Sequence, residues 1–241
     1  LTTCRPTDAT FDIASVTLAG WISAGTITGA LVLICYRWVD RPVAVLAHRA
    51  VRPGAPLSHF FKFLIHLPDL LMTFGAALMV LCPLVLGLAV AMRRQAHLRA
   101  TILIGSSYLF SLGCKTLLKW SFGRTWPETW VGDNPSFLRD GVYGFSPFHG
   151  GAGWAAFPSG HMTAVVSVAV MAWYVWPRLV LVWIAAIAGA GVGLVGMNLH
   201  FVSDVIAGGY VGSGSAAAVL WIVERWRLNR EKRYEHQRQF Q

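Results

Sequence analysis

Residues 179–223 read LVLVWIAAIAGAGVGLVGMNL HFVSD VIAGGYVGSGSAAAVLWIV. Two charge-free apolar runs, Leu179 to Leu199 and Val205 to Val223, flank the turn His200 to Asp204. Each run reaches the roughly 20 residues that cross about 30 Å of hydrocarbon as a helix. The stretch therefore predicts a membrane hairpin whose connecting turn holds a histidine and an aspartate at the interface. Outward from it, Ile13 to Tyr36 and Leu70 to Met92 are runs of the same kind. Ala100 to Leu118 and Met162 to Trp176 are shorter; Lys115 lies near the end of the first and Pro177 closes the second, so both are expected to border something polar. The expectation is an all-α bundle of six spans, approximately 13–36, 70–92, 100–118, 162–176, 179–199 and 205–223, forming one integral membrane domain over 1–223 with a basic, helical cytoplasmic tail over 224–241. Composition agrees: 55% of the residues are hydrophobic and only 13% charged, against about 25% charged in a soluble domain.

The first run is too long for the apolar core of a secretory signal and ends in Arg37, Asp40 and Arg41 without a small-residue cleavage pattern, so it is expected to be retained. The numbering opens on Leu1 rather than Met, so a preceding stretch is expected. Cys4, Cys35, Cys82 and Cys114 lack the close pairing of a zinc or redox motif and read as packing residues. The net charge of +9 does not point to nucleic acid, because about half the basic residues flank membrane boundaries, where anionic headgroups are the partner. Eleven basic residues fall on the side shared by the termini and the connections after spans two and four, and nine on the other. The bias predicts cytoplasmic termini in a multi-pass cell (inner) membrane protein. In the first external loop, about Arg37 to Pro68, Leu57 to His66 reads either as a helix in the headgroup plane or as a packed loop. The long loop Trp120 to Phe157 is rich in Gly, Pro, Trp and Asp, and loops of such length usually serve function.

Three clusters carry candidate chemistry. In Pro158-Ser159-Gly160-His161 a polar loop enters an apolar helix; Ser is a favoured N-cap, Gly admits a ligand to the backbone, and the free N–H groups of a helix start bind anions. His161 is suited there to protonate a leaving oxygen. In His200-Phe201-Val202-Ser203-Asp204 a helical turn would put Asp204 on the face of His200, holding one imidazole nitrogen and aiming the other outward as a nucleophile. Lys119 to Pro127 brings Lys119 and Arg124 to the same boundary, with Lys115 one turn earlier. Each cluster alone also fits a plain role: a helix cap, a structural His–Asp pair, a snorkelling basic end.

Together the three, in this order and with the last two separated by one helical hairpin, resemble the signature of the type 2 phosphatidic acid phosphatases, or lipid phosphate phosphatases, over roughly Lys115 to Gly209. The resemblance implies a six-helix transmembrane bundle of that kind with its site on the extracytoplasmic side, metal-free and cofactor-free hydrolysis, and a phosphohistidine intermediate. It makes His200 the nucleophile, Asp204 its orienter, His161 the general acid, and Lys119, Ser159 and Gly160 the phosphate cradle.

Two positions depart from the pattern. The first motif arginine falls on Trp126 and the arginine six residues before the nucleophile falls on Leu194. These guanidiniums would clamp the phosphoryl oxygens, and loss of one preorganised donor costs about 10²–10³ in rate. Arg124 is the first candidate to take over as a substrate-binding group, followed by Asn198, Lys115 and Arg139. Trp126 and the loop aromatics also fit packing against a lipid, a sugar or a quaternary ammonium. Two functions follow: a membrane phosphatase or phosphoryl transferase acting on a lipid phosphate, or a weakened or inactive member serving as an accessory or lipid-binding subunit of a larger membrane complex. The implied partners are membrane lipids, a lipid phosphate and possible membrane protein partners.

Overall fold

The computed structural model describes residues 17–51, 57–66, 69–70, 95–130 and 132–239. The expected span 70–92 lies outside them except for its first residue, as do Arg5, Arg52, Cys4 and Cys82. Among the described residues the secondary structure is helical, with three isolated β-bridges in the loop region and no strand. Helices α1 (Leu18–Ile34) and α2 (Asp40–Ala50) are joined without a break by a π-helical turn, Cys35–Val39. Helix α3 covers 57–66. Then come α4 (Gln95–Phe122), the short α5 (Phe137–Asp140), α6 (Gly160–Val175), α7 (Val180–Gly196) and α8 (Val202–Gln239). Four segments are long and apolar enough to cross a membrane: Leu18–Ala50, Leu98–Phe122, Pro177–Gly196 and Val202–Arg230; Gly160–Val175 is a shorter apolar helix. The chain is thus an all-α integral membrane protein.

The first external segment differs from the sequence expectation. Residues 37–50 are helix, not loop. Pro42 falls in the turn directly after the π-turn and causes no break. The extra residue of the π-turn re-phases the helix, turning Asp40 into the protein while Arg37 and Arg41 stay exposed. Residues 57–66 do form a helix, and it packs on the glycines of α7. A Cβ added at Gly196 would lie 2.5 Å from the Phe61 ring, and one at Gly193 would lie 2.9 Å from Leu64 and Ile65.

The short helix α6 is the centre. Eleven of its sixteen residues are buried, because α4, α7 and α8 all pack against it. Apolar packing around Met162, Val165, Val166, Val170 and Met171 meets Leu194 of α7 and Leu220 of α8. Where α4 crosses α6, hydroxyls join the helices: Ser107 Oγ donates to the Ser167 carbonyl (3.2 Å) and Ser167 Oγ to Ser111 Oγ (3.2 Å). Hydrogen bonds of this kind supply association that apolar surfaces in lipid cannot. Small residues set the α6–α8 crossing: a Cβ at Gly208 would lie 2.7 Å from the Ser159 carbonyl oxygen, and one at Gly212 would lie 2.6 Å from that of Thr163. Gly212→Ala is therefore expected to cost about 1–3 kcal/mol by overpacking, while Gly209→Ala, whose Cβ meets nothing within 4 Å, costs little. Heat unfolding of the two variants in detergent micelles measures the difference.

Candidate active site

The polar ends of α4, α6 and α8 meet at one end of the bundle. At the start of α6, Ser159 is the N-cap, accepting from the Met162 N–H (3.3 Å). Its own N–H donates to the Asp204 carbonyl (3.0 Å), which ties the start of α6 to the start of α8. Lys115 and Lys119, one turn apart on α4, close over Gly160: a Cβ there would lie 3.2 Å from Lys115 Nζ and 3.4 Å from Lys119 Cε. Lys119 Nζ donates to the Ala155 carbonyl and lies 5.4 Å from the centroid of the Trp126 ring. Glycine at position 160 is what admits the two ammonium groups to the helix terminus, the natural seat for an anion.

His161 points from α6 toward His200, with ring centroids 6.1 Å apart; its Nε2 is 3.4 Å from Asp69 Oδ1. His200 is only 2% exposed, and the Trp126 ring covers it at 5.1 Å. Asp204 faces it through Oδ2, 3.6 Å from His200 Nδ1, a separation longer than a hydrogen bond. The same oxygen accepts from the Phe201 N–H (3.0 Å). Burial, the largest effect, holds His200 below the ordinary imidazole value, against the opposing pull of Asp204, and Lys119 adds to the lowering.

Arg124 is the largest fully buried side chain among the described residues, 0% exposed. Its two terminal nitrogens donate internally, while the buried Nε meets no acceptor. Nη1 donates to Asp204 Oδ1 and to Ser203 Oγ (2.6 Å); Nη2 donates to Asp40 Oδ2 (2.7 Å) and Tyr143 Oη (3.2 Å). Asp40 also accepts from the Ser203 N–H (3.0 Å) and from the Ser203 hydroxyl. The guanidinium lies over the Phe201 ring at 4.5 Å and the Phe145 ring at 4.9 Å. Burial lowers its pKa, but Asp204 and Asp40 override that and hold it above its ordinary value.

The structure thus brings Lys119, Ser159, Gly160, His161, His200 and Asp204 together and gives Arg124 another place, at the far oxygen of Asp204 and away from the cradle. The reason is charge: two buried carboxylates outbid an open pocket for one guanidinium. The other candidates to replace the motif arginines divide. Asn198 donates to the Ala44 carbonyl (3.1 Å), and Arg139 pairs with Asp133 and Asp140. Lys115 alone of them faces the cradle. At the two departing positions, Trp126 donates through Nε1 to the Ala152 carbonyl (2.8 Å). Leu194 is fully buried, its carbonyl accepting from the N–H groups of Leu199 (2.9 Å) and His200 (3.3 Å).

Asp40, Ser203 and Tyr143 were missed as members of this network. Asp40 reads in sequence as an interface residue between two arginines; its signal is that it is the one acid closing the first apolar run. Removing it strands Arg124 against a single carboxylate. Asp40→Ala is expected to cost about 3–5 kcal/mol, seen as a lower midpoint of heat unfolding, with Asp40→Glu recovering part of the loss.

Residues 100–228 match the PAP2 superfamily. The chain is 34% identical over 103 residues to a lipid A 1-phosphatase of Rhizobium etli, covering 43% of this chain and 41% of that one. It is also 34% identical over 100 residues to a lipid A 1-phosphatase of Rhizobium johnstonii, covering 42% and 38%. The match thus spans about two-fifths of the length of these curated relatives. The crystal structure of a transmembrane PAP2 type phosphatidylglycerolphosphate phosphatase from Bacillus subtilis superposes with a TM-score of 0.51 at 18% identity, covering 85% of this chain and 96% of that one. That likeness is one of fold.

Proposed function

Because this chain belongs to the PAP2 superfamily, we propose that it is a membrane phosphatase acting on a lipid phosphate through a phosphohistidine on His200. The observation that carries this reading is the facing of His161 and His200 beneath two lysines at the start of α6. The phosphate of the substrate occupies the cradle of Lys115, Lys119 and the Gly160 backbone. Nε2 of His200, the ring nitrogen turned away from Asp204, attacks phosphorus as the ester P–O bond breaks, and His161 gives its proton to the departing lipid oxygen. Water then attacks the phosphohistidine, His161 takes the water's proton, and inorganic phosphate leaves with His200 restored. Asp204 holds the ring by attraction across 3.6 Å. The relatives named as lipid A 1-phosphatases support a glycolipid phosphate as the substrate class. The charge bias supports cytoplasmic termini, and with them a site facing the extracytoplasmic side of a cell membrane.

One observation favours a second reading. The Trp126 ring covers His200, which is almost wholly buried, at the position where the sequence resemblance leads one to expect a guanidinium, so the same residues fit a slow or inactive member that binds lipid or a membrane partner. Two variants separate the readings. His200→Ala is expected to abolish phosphate release from lipid phosphate in micelles, and Trp126→Arg to raise it by about 10²-fold. Equal release by the wild type and His200→Ala would leave only the second reading.

Acidity supplies a further check. An ordinary histidine titrates near 6.5, and burial holds His200 below that value when folded. The stability gained from a neutral, buried His200 is therefore fully present above about pH 6.5 and is lost as pH falls below it toward the folded value. The nucleophile stays unprotonated over the same range. The acid limb of phosphate release is expected below pH 6.5, and an inflection assigned to His200 at or above 6.5 would contradict this.

A further inference from the structure

The outer face of the α1–α2 joint carries a groove of about 740 Å³, lined among others by Arg37, Trp38, Arg41, Leu46, Arg49 and Phe137. Arg37 and Arg41 are one turn apart and Arg49 two turns further along the same helical rod, and all three are exposed. Among the described residues no carboxylate pairs with any of them: Asp40, next to Arg41, is turned inward onto Arg124, and Glu128 is held by His48 at 3.2 Å. Like charges one turn apart repel, so this face lacks a counter-charge. Its apolar members are exposed as well, Trp38 at 66% and Leu46 at 67%.

Depth along the rod fits an amphiphile. From Leu18, a rise of about 1.5 Å per residue crosses roughly 30 Å of hydrocarbon near Trp38. Tryptophan favours that boundary, and Arg37 and Arg41 then lie level with lipid phosphates. Guanidinium binds phosphate in a two-bond fork, more selectively than an ammonium does. The groove also abuts the buried network: Arg41 lies over the Tyr143 ring at 5.5 Å, and the Tyr143 hydroxyl is 3.2 Å from Arg124 Nη2.

We propose that this groove binds the phosphate headgroup of an anionic membrane lipid, gripped by Arg37 and Arg41 with Trp38 and Leu46 against the glycerol and upper acyl chain, at a site separate from the His161–His200 centre. Occupancy would brace the rod that carries Asp40.

Native mass spectrometry of the delipidated full chain in detergent tests this with added phosphatidylglycerol, phosphatidylcholine or inorganic phosphate. One phosphatidylglycerol is expected to be retained in preference to phosphatidylcholine, about tenfold or more weaker in the Arg37→Gln/Arg41→Gln double variant. Arg37→Gln alone, which leaves the Arg41–Tyr143 contact in place, is expected to weaken retention in a chain that still unfolds at the wild-type temperature. His200→Ala and Arg178→Gln are expected to leave it unchanged, which separates this site from the reaction centre and from the other membrane face. Equal retention of both lipids, no effect of the double variant, loss of retention in His200→Ala, or full displacement by millimolar inorganic phosphate would each overturn the proposal.

Discussion

A guanidinium sealed from water between two carboxylates is the constraint on which the rest of this site depends. Arg124 comes from the loop after α4, Asp40 from the joint of α1 and α2, and Asp204 from the first turn of α8. Three remote parts of the chain therefore have to arrive together, because any one missing leaves a buried charge uncompensated, at a cost of several kcal/mol. The aromatic rings of Tyr36, Tyr143, Phe145 and Phe201 around the guanidinium exclude water and strengthen the attraction.

The arrangement has a price in chemistry. Asp204 shares its charge between Arg124 at one oxygen and His200 at the other, and the histidine has the longer contact. His200 is fixed less by its aspartate than by packing: Trp126 above it, the Leu194 carbonyl on its backbone N–H, and Phe201 beside it in the core. Positive charge at the start of α6 is left to Lys115 and Lys119. An ammonium is a point charge and lacks the forked geometry of an arginine.

Much of this was legible in the sequence because membrane helices announce themselves by length. The hairpin of α7 and α8, the cap at Ser159 and the convergence of His161 on His200 all follow from local pattern, a 3.6-residue period and a recognisable order of motifs. The role of Arg124 was not legible. Two residues from a motif position it reads as a substitute clamp, and only the third dimension shows Asp40, 84 residues away in sequence, competing for it. Asp40 in turn was hidden by the π-turn: a regular helix would point it elsewhere, and a five-residue turn of that kind has no dependable sequence signature. The helix through Pro42 escaped for a related reason, since proline normally marks a break.

The enclosure of α6 bears on how the protein behaves in membranes of different thickness. Helices that face lipid accommodate a thicker or thinner bilayer by tilting, and α1, whose Leu18, Ile22, Ile27 and Leu33 are widely exposed, is of that kind. Helix α6 carries Ser159 at its N-cap and His161 in its first turn, yet eleven of its sixteen residues are buried, so among the described residues hydrophobic mismatch reaches it through its neighbours α4, α7 and α8. Changes in acyl-chain length would then reach the start of α6 through shared contacts such as Gly208 against Ser159.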